Sequence, residues 1–274
     1  DVLFDRLQPG RIVFDWVRNS EYVVRPILKK AQEKHLPTFS LPHGMNLYSN
    51  LEIKDQSRRW GAGAEFDHVI SQGWLNRRHL EHAGIPSEKI VDLGSLRFCR
   101  EWMDFYRDHI VPSSFQSPCD DSKLKVVFFL SRLVYKIDSS LLLQTIELLA
   151  QNENVHLIIK PHTRKMGVRF MKTLTQKYDL DIRHETSSVL LSEWSDMALV
   201  IGSSIGLQTL HDRKLLIYPS YLDANQSYYD DMNACWRVDS VAELQKAVNR
   251  ALQDRDYRPY PNEGVEKLFT NNVY

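Results

Sequence analysis

Short apolar runs and longer stretches with apolar residues three and four apart follow one another along the whole chain. A short continuous run suits a strand covered on both faces, and the three-and-four spacing suits the helix that covers it. In the first half the runs Arg11–Asp15 (RIVFD), Pro37–Leu41, Phe66–Ser71 (FDHVIS) and Ile90–Leu93 read as strands. Helices are expected over Ser20–Lys34, with Val23, Val24, Ile27, Leu28 and Ala31 on one side, and over Gly73–Ala83, closed by Gly84-Ile85-Pro86. A further helix, Phe98–His109, has Trp102, Phe105 and Tyr106 to pack. The rhythm breaks at Pro112–Lys123, where two prolines, four serines and two aspartates make the best linker in the chain.

Beyond the linker the alternation restarts with strand Leu124–Leu130, helix Ser139–Ala150, strand Val155–Ile159 and helix Val168–Lys177. Short strands near Asp181–Arg183, at Leu199–Ile201 and at Leu215–Tyr218 follow, and Ser240 with Glu243 forms a capping box for a helix over Ser240–Leu252. Strands that alternate with helices make parallel sheets. The expectation is therefore an α/β chain of two Rossmann-like doubly wound domains, 1–112 and 113–274, facing a central cleft. The aromatic tail Tyr257–Tyr274 is expected to cross back over the first domain. The sequence starts at Asp1, without a methionine and close to a strand, so part of the first domain is expected to lie upstream of it, in a larger chain.

Composition narrows the chemistry. Lys+Arg 35 against Asp+Glu 35 leaves no net field to recruit nucleic acid. Three scattered cysteines, Cys99, Cys119 and Cys235, fit reduced thiols in the cytoplasm better than a disulfide framework or a zinc site. No apolar run reaches membrane-spanning length. The P-loop, G-x-G-x-x-G, G-x-S-x-G and H-E-x-x-H patterns are absent, and the ten histidines do not cluster with acids at metal spacing, so no metal and no bound cofactor are expected.

Two segments carry the candidate chemistry: Leu157–Arg164 (LIIKPHTR) and Leu199–Leu207 (LVIGSSIGL). Each is an apolar strand followed by polar or small residues, and in open α/β sheets ligands bind beyond the carboxyl ends of the strands. Lys160, His162, Gly202, Ser203 and Ser204 thus form a candidate phosphate site, joined by Ser131 and Arg132 after the preceding strand. Glu185, between the two segments, is a candidate acceptor for ribose hydroxyls. In the first half, Asp15 and His43 (in Pro42-His43-Gly44) stand at strand ends as candidate base, acid or nucleophile. Bland readings compete: a solvated turn for His162, a plain serine N-cap at 203–204, a capping role for Asp15 and a loop-holding role for His43.

An HG loop in one half, then KPH, a spaced Glu and SS in the other, resembles glycosyltransferases of the GT-B type. Among these the pattern is most similar to bacterial enzymes that use CMP-activated sugars, the sialyltransferases and Kdo transferases of surface polysaccharides. There a His-Pro motif and a Ser-Ser motif hold the donor phosphate and a Glu binds ribose; here the order is Pro161-His162, followed by Thr163. The resemblance implies metal-independent transfer of a sugar, Kdo favoured, from a CMP-linked donor to a glycan or lipid-linked glycan at the inner membrane face. The layout also resembles CDP-glycerol and CDP-ribitol phosphotransferases and, in Gly206-Leu207-Gln208, the S-G-G-x-Q segment of UDP-GlcNAc 2-epimerases, whose acidic pair is replaced by Thr209-Leu210. A non-catalytic nucleotide-sugar-binding scaffold is the rival outside the enzymes.

Overall fold

The computed structural model describes residues 2–15, 23–41, 65–111, 115, 120–130, 137–162, 174–175 and 177–270. His43, Ser131, Arg132 and all but three residues of the expected helix Val168–Lys177 lie outside the described residues. Two compact units emerge, one holding the chain up to Cys99 and the other Arg100–Phe269.

In the first unit, helix α1 (Val2–Leu7) precedes strand β1 (Ile12–Asp15), followed by α2 (Val24–Glu33), β2 (Thr38–Leu41), β3 (His68–Ser71), α3 (Trp74–His82) and β4 (Ile90–Asp92). The four strands are parallel in the order β1-β2-β3-β4. Val24, Leu28 and Ala31 form the buried stripe of α2, and Val24 and Leu28 pack with Phe66, Val69, Ile85 and Ile90. Val23, expected on that stripe, is exposed just before the first turn. Asp67, just before β3, ties two strand starts together: its carboxylate accepts from the Thr38 N–H (2.9 Å) and hydroxyl (2.8 Å).

The second unit runs α4 (Arg100–His109), β5 (Leu124–Phe129), α5 (Ser139–Ala150), β6 (Val155–Lys160), β7 (Asp181–Ile182), α6 (Ser188–Trp194), β8 (Met197–Val200), α7 (Ile205–His211), β9 (Leu215–Pro219), α8 (Tyr228–Asp231), β10 (Trp236–Val238), α9 (Val241–Gln253) and α10 (Asn262–Thr270). Its six strands are parallel in the order β10-β9-β8-β5-β6-β7. Counted from its own first strand this is 6-5-4-1-2-3, the Rossmann order, and it reverses at β5. Side chains of β8 and β9 are buried throughout, as parallel strands covered on both faces require.

The helix expected over Phe98–His109 forms from Arg100, but a different face turns inward. Met103 is its buried residue, whereas Trp102 and Phe105 are exposed and stack on each other. The helix lies on the amino-terminal side of the boundary expected at 112–113, yet it groups with the second unit, where Arg100 pairs with Glu266 (2.7 Å) and Asp104 meets the His211 imidazole (3.0 Å). The tail as far as Phe269 packs on the same unit: the Tyr260 hydroxyl accepts the Leu216 N–H at the start of β9. Of the two helices flanking β8, α6, capped by the Ser187 side chain, comes in addition to the expected ones, and α7 fills Ile205–His211 directly after the Gly202–Ser204 helix start.

Candidate functional site

The reversal of strand order at β5 places the ends of β5, β6 and β8 side by side, with β7 beyond β6. The loops leaving these strands therefore share one edge of the sheet. Lys160, the last residue of β6, is only 5% exposed, and its ammonium donates to the His184 carbonyl in the loop after β7. Burial pulls the Lys160 pKa below the ordinary lysine value, and the nearby Glu185 carboxylate opposes that shift. Lys160 thus acts inward, as a clasp on the loop that carries Glu185, rather than as an outward-pointing cation. Glu185 itself is exposed, and His162 is half-buried after Pro161.

The turn after β8 is built differently. Gly202 has φ +54, the left-handed region that favours glycine. Ser204 occupies the N-cap position of α7 with helical dihedrals and makes no side-chain capping bond, so the plain N-cap role is not the one it plays. The Ser203 carbonyl accepts a hydrogen bond from the Tyr229 hydroxyl at 2.9 Å. Tyr229 is fully buried, and a Cβ placed on Gly206 would come within 2.7 Å of its ring. Gly206 therefore has no room for a side chain, and Tyr229 fixes the height of the Gly202–Ser204 turn. No pattern in the sequence marks Tyr229 as the support of this turn, and Gly206 stands out there only within the Gly-Leu-Gln echo.

Behind the turn, Asp212 accepts from Gln208 (2.8 Å) and Ser192 (2.9 Å), tying α6 to α7, and burial raises its pKa above the usual carboxylate range. Thr209 and Leu210 are buried, Thr209 donating back to the Ile205 carbonyl. In the first unit Asp15 ends β1 and is exposed at the carboxyl edge of its sheet. Among the described residues, no group of three His, Cys, Asp or Glu side chains could hold a metal, and no helix is long and apolar enough to cross a membrane.

No family model matches the chain, and no curated protein matches it in sequence. Solved structures do match in fold. The UDP-N-acetylglucosamine 2-epimerase of Rickettsia bellii is 15% identical with a TM-score of 0.63, over 99% of this chain and 72% of that one. The UDP-GlcNAc 2-epimerase of Neisseria meningitidis, solved with UDP-GlcNAc, is 11% identical with a TM-score of 0.62, over 98% and 76%. A glycotransferase of kitacinnamycin is 13% identical with a TM-score of 0.54, over 98% and 73%. The fold is of the GT-B type: two Rossmann-like units, each a parallel sheet with its helices.

Proposed function

We propose that the chain is a metal-independent nucleotide-sugar glycosyltransferase whose second unit holds the donor. The observation that carries this reading is the gathering of the His162 turn, the Glu185 loop and the Gly202–Ser204 turn around the reversal of strand order, where such sheets bind ligands. In this reading His162, Ser203 and Ser204 donate to the donor phosphate and Glu185 accepts from ribose hydroxyls, and Ser131 and Arg132, which follow β5 in sequence, also bind the nucleotide. Lys160 is a positioning residue that sets Glu185 through the His184 carbonyl.

The donor of this proposal is CMP-linked, with a Kdo-type sugar, because the SS turn and the spaced Glu resemble that class. The acceptor is a glycan or lipid-linked glycan hydroxyl at the inner membrane face. The bond between the anomeric carbon and the nucleotide oxygen breaks, the electron pair leaving with CMP, and donors aimed at the departing phosphate lower that barrier. Asp15 takes the proton of the attacking acceptor hydroxyl in an inverting reaction; in a retaining one it attacks the anomeric carbon as CMP leaves, and the acceptor hydroxyl, giving its proton to His43, then displaces the Asp15 carboxylate. Thr209 and Leu210, standing where an epimerase segment has its acidic pair, supply no carboxylate, which favours transfer over epimerisation. A UDP-linked donor is the second reading, favoured by the likeness in fold to UDP-GlcNAc enzymes.

Calorimetric titration with CMP, CDP and UDP tests the proposal. CMP is expected to bind best, with His162→Ala and the Ser203→Ala/Ser204→Ala pair each losing about 1.5–3 kcal/mol, the scale of hydrogen bonds to a charged group. A preference for UDP moves the donor to the second reading. If no nucleotide binds, or the variants bind as well as the parent, the reading is sunk. Asp15→Asn should abolish turnover and leave nucleotide affinity intact; a binding scaffold would be indifferent to it.

A further inference from the structure

Helix α7 runs from the Gly202–Ser204 turn to the opposite, amino edge of the second sheet, where a concave pocket lies. The loop His211–Lys214 and the tail segment Asp256–Glu266 enclose a cavity of about 450 Å³, within the range of small-molecule sites. Its apolar wall is Leu210, Tyr260 and Val265, and Arg100, Arg213, Lys214 and Arg258 bring cations to it.

These cations are unequally compensated. Arg100 is neutralised by Glu266, which it meets at 2.7 and 2.8 Å. Among the described residues Arg258 is held by neutral dipoles: its guanidinium donates to the carbonyls of Arg255 (2.7 Å), Tyr257 (2.9 Å) and Arg213 (2.9 Å). Those bonds immobilise the head group without cancelling its charge. Among the described residues no ion pair includes Arg213, Lys214 or Arg258, and Asp256 is the one remaining acid of the wall. The His211 ring, 8% exposed, is bound through Nε2 to Asp104, and its buried Nδ1 has no hydrogen-bond partner among the described residues.

Cations beside a helix C-terminus can be explained by its exposed carbonyls alone. Arg213 argues for more. It sits at φ +56, the left-handed position after a helix that glycine fills at least cost. Capping needs only its backbone: the Arg213 N–H bonds the Leu210 carbonyl (3.1 Å) and the Lys214 N–H the Thr209 carbonyl (2.9 Å). The side chain is thus kept at a conformational cost, next to an immobilised cation and an apolar wall.

We propose that this cavity binds a small organic phosphate, with Arg213, Lys214 and Arg258 on the phosphate and Leu210, Tyr260 and Val265 against the carbon skeleton. The site is separate from the proposed donor site and does not depend on it. The test is calorimetric titration of the full chain with glucose 6-phosphate, with glucose as the uncharged control. Saturable, salt-sensitive binding is expected for the phosphate alone, weakened about tenfold or more in Arg213→Gly and again in Arg213→Gly/Lys214→Ser. Arg213→Gly should melt no lower than the parent, since glycine suits the backbone there, so lost binding cannot be lost folding. Ser203→Ala/Ser204→Ala should leave this binding unchanged. Absence of saturable binding, binding equal for glucose, binding unaffected by Arg213→Gly/Lys214→Ser, or binding lost with Ser203 and Ser204 instead, overturns the proposal.

Discussion

The two sheets begin alike and end differently. Each has an aspartate immediately before an inner strand that bonds the start of a neighbouring strand: Asp67 takes the Thr38 N–H (2.9 Å) and Asp196 the Lys125 N–H (2.9 Å). Downstream the resemblance stops. The second sheet has six strands, and the turns at its carboxyl edge are held from behind by buried groups, Lys160 under the Glu185 loop and Tyr229 under the Gly202–Ser204 turn. In the first sheet the strands are three or four residues long, and β1 alternates half-buried with exposed residues. Aspartates tie neighbouring strand starts in both units, whereas built support for the turns at the carboxyl edge is evident in the second.

The largest expected effect puts the same deletion in both cores. Phe128 in β5 is fully buried, and Phe128→Ala should cost about 3–5 kcal/mol. Phe14 in β1 is half-buried, edge-on to Phe66 at 5.5 Å, so Phe14→Ala should cost about 1–2 kcal/mol. Urea unfolding followed with separate probes in the two units measures both; equal losses would break the comparison.

Next come two glycines needed for different reasons. Gly206→Ala drives a methyl into the buried Tyr229 ring and should cost about 1–3 kcal/mol while displacing the Ser203 carbonyl. Gly84→Ala meets nothing within 4 Å but sits at φ +88, so its cost, about 1–2 kcal/mol, is purely conformational. Nucleotide affinity should fall with the first alone; a fall with both would sink the assignment of Tyr229 as the support of the turn. The paired aspartates give a similar contrast. Asp67→Ala removes a carboxylate bonded by two Thr38 donors and should cost about 2–3 kcal/mol, against about 1–2 for Asp196→Ala, whose carboxylate takes one backbone N–H and a longer Arg255 contact (3.6 Å). Thermal unfolding of the two variants ranks them.

Periodicity made the architecture legible because parallel strands buried on both faces leave unmistakable apolar runs, such as Leu124–Leu130 and Leu157–Ile159. It also puts Lys160 at the end of a strand and Glu185 and Ser203 just after strands, since strand ends follow once strands are known. What it missed depends on tertiary partners. The apolar spacing of Trp102, Phe105 and Tyr106 is genuinely helical, but which face turns inward is decided by Met103 and by the Arg100 and Asp104 contacts, more than a hundred residues away in sequence. Tyr229 reads as one more aromatic residue until the fold sets it beneath Ser203. Lys160 reads as a ligand-facing cation until its ammonium is found on a backbone carbonyl.

Lys160→Met gives the smallest effect and the sharpest view of that support, through its pH dependence. At neutral pH the substitution loses a charged hydrogen bond and also removes a buried charge, so the net change should stay within about 1 kcal/mol. Because burial lowers the folded-state pKa of Lys160, the unfolded chain holds this proton to higher pH than the folded one. Wild-type stability should therefore rise, relative to Lys160→Met, as pH climbs from that lowered pKa towards the ordinary lysine value, and the difference should be flat below it. Denaturant unfolding of both proteins at neutral and at alkaline pH measures the slope. A difference that moves the other way would mean that the Lys160 ammonium is stabilised in the fold rather than desolvated, and that it faces a carboxylate, Glu185, more than the His184 carbonyl.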